Sequence, residues 1–148
     1  MAAVTGRDRM IKSMNELTGR DDCSEAILAQ ERPSWTPFVL FALAIGAGIF
    51  LSAAVDLNAI LAGAIVGGLI GVGFAATTKY WVLGRCGTDV ILARSSKFSA
   101  KAVEVVDRWS APVRVDQKKG LLQNRLMISG RTLMIARQFA GRVEAIVR

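Results

Sequence analysis

Polar and apolar positions divide the chain into stretches of three different periods. In the first, Met10, Ile11, Met14 and Leu17 recur at helical spacing on an otherwise polar arm, and Gly19 is placed to stop that helix. A second short helix is expected from Asp22 or Ser24 through "EAILAQE" to Pro33. Then come two windows with no charged residue, 23 residues between Arg32 and Asp56 and 22 between Asp56 and Lys79. A helix needs about 20 mostly apolar residues to cross a hydrocarbon layer of ~30 Å. Both windows qualify and predict transmembrane helices over about 36–55 and 59–79. Only Asp56, Leu57 and Asn58 join them, so they form an antiparallel hairpin.

Beyond Tyr80 the period changes to that of strands. "TDVILARSS" reads as a strand buried on both faces, and "AVEVVDRW" as the next. In "VRVDQK", Val113 and Val115 fall on one face and Arg114 and Asp116 on the other. "RLMIS" and "TLMIARQF" flank Gly130 as the clearest hairpin of the chain. Val143, Ile146 and Val147 return to helical spacing at the end. Antiparallel strands closed by a short C-terminal helix make an α+β domain. The expected organisation is therefore an arm over 1–34, a transmembrane hairpin over 35–81 and a β domain over 82–148.

The glycines of the second window admit two readings. Gly71-Val72-Gly73-Phe74-Ala75-Ala76 fits a dinucleotide-binding fingerprint, but that motif needs a strand before the glycines and a βαβ unit around them. Here the glycines lie inside a long apolar helix. Gly63, Gly67 and Gly71 recur every four residues instead, as in helices that pack closely within a membrane, and Gly46 and Gly48 are small positions of the first helix. This stripe either glues the hairpin together or docks on another subunit's helix.

Charge orients the hairpin. The joining loop has no Lys or Arg, whereas Arg20 and Arg32 precede the first span and Lys79, Arg85, Arg94 and Lys97 follow the second. Both termini are expected in the cytoplasm, with Trp35, Tyr80 and Trp81 at the interface. Cys23 and Cys86 then sit on the reducing side, where a disulfide is not expected. Residues 79–148 carry fourteen basic and five acidic side chains. Arg114, Lys118, Lys119, Arg125 and Arg131 are the expected contacts to anionic lipid or an acidic partner. Nucleic acid is not expected, because no aromatic interleaving accompanies the charge.

The chain has no histidine, which removes the commonest general base and most catalytic zinc sites. Neither window carries an ionisable residue, so no proton relay is expected there. Asp107 and Asp116 read as salt-bridge partners of nearby arginines rather than as a catalytic pair. No catalytic, cofactor or metal site is expected.

The phrases "TDVILARSSKFSAKAVEVVDRW", "VRVDQKKGLLQNRLMI" and "GRTLMIARQF" resemble the small PH-like domains of actinobacterial membrane proteins. The copy is short for that fold, which implies support from the N-terminal arm or a partner. Met10, Ile11, Met14 and Leu17 are the expected docking residues of the arm. The general look also resembles two-span accessory proteins of mycobacterial Mce-type lipid importers. That resemblance implies a non-catalytic accessory subunit in the bacterial inner membrane, with lipids and other integral membrane subunits as partners. A self-associating sensor of anionic lipid and an accessory or assembly protein of a respiratory complex are the alternatives.

Overall fold

In a computed structural model, residues 6–33, 35–54, 59–97, 99–121 and 123–148 are described. The chain forms two compact units, one of Met1–Glu31 with Lys79–Arg148 and the other of Arg32–Thr78.

The first unit opens with helix α1, Gly6–Thr18. Gly19 ends it at φ +65°, and the Arg20 amide closes back on the Asn15 carbonyl at 3.2 Å. A glycine takes this left-handed conformation without steric cost. The expected stop is where the sequence placed it. Strands β1 (Cys23–Glu31), β2 (Lys79–Cys86), β3 (Asp89–Ser95), β4 (Ala102–Ser110), β5 (Val115–Lys118), β6 (Gln123–Ile128) and β7 (Arg131–Ala136) follow. They form one antiparallel sheet in the order β4-β3-β2-β1-β7-β6-β5. Helix α4, Ala140–Val147, ends the chain.

The segment expected as a second short helix is strand β1. "AILA" is too short a run for periodicity to separate helix from strand. Its partner settles the matter: Glu25–Glu31 pair residue by residue with Arg85–Lys79. Ile27 and Ala29 face one core while Ala26 faces another, so no polar residue interrupts the run. The expected break between an arm and a separate β domain falls away with this strand. The arm supplies the middle of the sheet.

Both sheet faces are covered. On one, Met10 and Met14 of α1 pack over Ala26, Val82, Ile91 and Ala93. On the other, Ile27, Leu83, Val90, Leu92, Leu126, Ile128, Leu133 and Ile135 gather with Val143 and Ile146 of α4. Strand β3 therefore buries Val90 and Leu92 on one side and Ile91 and Ala93 on the other, as its unbroken apolar run predicts. Strand β6 alternates, with Leu126 and Ile128 buried and Arg125 exposed, while of the edge strand β5 only Val115 is partly buried. Ser129 and Gly130, at φ 46° and 81°, make the two-residue turn between β6 and β7. Trp81, expected at a membrane interface, is instead only 6% exposed inside the sheet core.

The second unit is helix α2, Thr36–Ala54, and helix α3, Ala59–Thr77. Each contains an 18-residue window with a mean hydropathy of 2.0, of which 6% is buried. Phe38, Phe41, Ile49, Phe50, Ile60 and Leu69 are all more than half exposed. Water would not tolerate such an apolar surface. These are candidate membrane-spanning helices, not the core helices of a soluble domain. Asp56, Leu57 and Asn58 lie outside the described residues.

Candidate functional site

The hairpin packs through a different seam from the expected stripe. Leu40, Ala44 and Ala47 of α2 face Val66 and Ile70 of α3 around a cavity of about 330 Å³. Ala62 is buried on the same line. A Cβ built on Gly73 would come within 2.4 Å of Leu40 Cδ2, so there the two helices touch through a glycine. A Cβ on Gly46, Gly48, Gly63, Gly67 or Gly71 would meet no atom within 4 Å. The stripe therefore does not hold the hairpin together. It lies on outward faces, and the glycine that does join the helices is one the four-residue repeat passes over.

The five expected basic contacts do not form one patch. Lys118 stands opposite Arg125 across β5 and β6, with Lys119 next in sequence, and all three are exposed. Arg114 precedes Val115, which pairs with Ile128 at the other end of the same strands. Arg131 is engaged elsewhere: its Nε lies 3.0 Å from Asp107 Oδ2, and its guanidinium sits 5.4 Å from the centre of the Trp81 ring. The pairing of Asp107 with an arginine matches expectation. It takes Arg131 out of the set of available cations.

The arm residues are occupied as well. Met10 and Met14 are buried on the sheet, and Ile11 and Leu17 pack partly against the same cluster. Gly84 explains how α1 comes so close. A Cβ there would lie 3.2 Å from Met14 Cε and 3.1 Å from the Glu25 carbonyl oxygen. The apolar face expected of the arm thus packs on the sheet of the same chain.

The cysteines do not stay apart. Cys23 and Cys86 are register partners at one end of the β1–β2 ribbon and are joined as a disulfide. Beside them the Arg20 guanidinium donates to Asp22 at 3.0 Å and to Asp89 at 2.8 Å. Those hydrogen bonds, Asp22 first, raise its pKa above the ordinary arginine value. The sequence separation of 63 hides this pairing, which becomes legible only once β1 is recognised as a strand.

A second basic group escapes sequence reasoning. Arg9, Lys12, Ser13, Glu16, Ser99 and Lys101 line one hollow of about 280 Å³ between α1 and the β3–β4 turn. An adjoining hollow of about 320 Å³ shares Arg9 and Ser99 with it and adds Tyr80, Ser96 and Lys97. The turn is held by the Ser96 amide donating to the Lys101 carbonyl at 3.0 Å. Ser13 ties α1 to the same place, its hydroxyl accepting from the Ala102 amide at 3.0 Å. Arg9 and Lys12 are three apart on the polar side of α1, a spacing visible in the sequence. Nothing in the sequence connects them to the β3–β4 turn.

Among the described residues no group of three or more His, Cys, Asp or Glu side chains is arranged to hold a metal ion. No protein-family model, curated protein or solved structure matches the chain.

Proposed function

We propose that this protein is a non-catalytic accessory subunit of a bacterial inner-membrane complex, anchored by α2 and α3 with both termini in the cytoplasm. The observation that carries the reading is the uncovered stripe: Gly46, Gly63, Gly67 and Gly71 are exposed while the hairpin's own seam runs elsewhere. In a membrane, helices associate through close backbone approach at small residues, so a glycine face left open by one hairpin suits a helix from another subunit. A lipid transporter is the complex we favour, on the resemblance of sequence alone. The sheet is read as PH-like. Support comes from its two meanders, β1–β4 and β5–β7, joined through β1 and β7, and from α4 packed on one face.

The test is to purify a tagged copy from native membranes in mild detergent and identify what accompanies it by mass spectrometry. Integral membrane proteins in reproducible ratio are the expected outcome. A chain that emerges alone, or only with itself, sinks the reading.

A further inference from the structure

The two hollows that share Arg9 and Ser99 form one trough, and its charge is unbalanced. Arg9, Lys12 and Lys101 line it against one carboxylate among the described lining residues, that of Glu16. Glu16 lies 3.9 Å from Lys101. Arg9 and Lys12 form no ion pair among the described residues. Hydroxyl-bearing side chains stand among the cations: Tyr80, Ser96 and Ser99. Converging cations with interspersed hydroxyl donors recognise a phosphate group, whose oxygens accept from several directions at once.

Connectivity places the trough. Tyr80 is the second residue of β2, whose first, Lys79, comes two positions after the end of α3. Gln30 stands opposite Tyr80 and Glu31 opposite Lys79, so this is the end of the β1–β2 ribbon from which the chain runs into both apolar helices. The β3–β4 turn is at the same end, because Arg94 pairs with Trp81 and Ser95 with Ala102. Lys118 and Arg125 are separated from it across the sheet: Arg125 pairs with Met134, itself the partner of Gln30, so they share the row of Tyr80 but stand on β5 and β6, at the edge opposite β3 and β4.

We infer that the trough between α1 and the β3–β4 turn is a binding site for a phosphate-bearing ligand, namely the headgroup of an anionic phospholipid. The site is built from a segment of the arm and a turn, tied together by the Ala102 amide donating to the Ser13 hydroxyl. The inference does not depend on the accessory-subunit reading, which turns on the outward glycines and on co-purifying proteins.

The experiment uses the full chain in nanodiscs of equal phosphatidylglycerol and phosphatidylcholine, with retained lipid counted by native mass spectrometry. The native chain is expected to retain phosphatidylglycerol in excess. The Arg9→Gln, Lys12→Gln pair should reduce that excess at least about tenfold, since each basic residue near an anionic surface contributes on the order of a fivefold preference. The Lys118→Gln, Arg125→Gln pair should leave it unchanged. Ser99→Asp, which sets a negative charge in the same trough, should also abolish it and guards against a folding defect in the first pair. A parallel arm in phosphatidylcholine alone adds millimolar inorganic phosphate and maps acetylation of Lys12 and Lys101. Protection there without phosphatidylglycerol preference keeps the phosphate site and makes its source a soluble ligand. Three results overturn the inference: neither effect, equal loss in both variant pairs, or protection that requires a co-purifying acidic protein.

Discussion

Met14 and Gly84 show how a single small residue lets a distant segment join a sheet. Met14 is fully buried, and its Cε would lie 3.2 Å from any Cβ at position 84. Met14→Ala leaves a cavity beneath α1 and should cost about 2–5 kcal/mol of stability in the sheet unit. Gly84→Leu approaches the same contact from the other side and should cost ~1–3 kcal/mol by overpacking. Both are read as shifts in unfolding of the detergent-solubilised chain. If Met14→Ala is silent, α1 does not pack where Gly84 admits it. Arg131 makes a weaker contrast. Its ion pair with Asp107 is about a third exposed on both sides, so Arg131→Gln should lose only about 1–2 kcal/mol, ion pair and ring contact together. A larger loss would make that contact a main closure of the sheet.

At the scale of elements, the hairpin separates two kinds of glycine. Gly73→Leu drives a side chain into Leu40 and should spread α2 from α3, lowering the amount of protein that accumulates in the membrane. A Cβ at Gly67 meets no atom within 4 Å, so Gly67→Leu has open space where it starts. It should insert and accumulate normally and lose only its association with other subunits, measured by co-purification. If Gly67→Leu retains its partners, that face looks onto lipid. The repeat at positions 63, 67 and 71 was legible as a pattern of small residues, but which face it occupies was not. That depends on the rotation of one helix against the other, which a uniformly apolar sequence leaves unspecified. The strands were read more securely. Val113 and Val115, or Leu126 and Ile128, alternate with polar neighbours because one face is solvated. Residues 23–31 gave no such alternation, since β1 is covered on both faces. The partner that makes them a strand lies beyond the whole hairpin, and neither the disulfide nor the trough of Arg9 and Lys101 was legible without it.

For the whole molecule, the governing fact is that Arg32–Thr78 is inserted between two strands that pair with each other. The sheet unit must therefore lie on one side of any membrane that α2 and α3 cross, and two signals disagree about which. Basic residues flank both helices at the sheet side, with Arg32 before α2 and Lys79 after α3, while Asp56, Leu57 and Asn58 include none. That asymmetry favours the cytoplasmic sheet we propose. The Cys23–Cys86 bond is instead the kind found on the oxidising side. Our proposal gives weight to the charges, because they act during insertion, whereas strand register sets the two cysteines opposite each other in either redox state. The expected outcome in intact cells is that a Cys23→Ser, Cys86→Ser, Asn58→Cys variant reacts with an impermeant thiol reagent from outside. In a reducing cytoplasm the pair joined in the structure should open, so native chain quenched in acid and alkylated while denatured should show both cysteines as free thiols that re-form the bond on exposure to a chemical oxidant. An unreactive position 58 together with a bonded native pair would reverse the orientation. The sheet and its basic trough would then face outward, and any partner meeting them would have to be sought on that side.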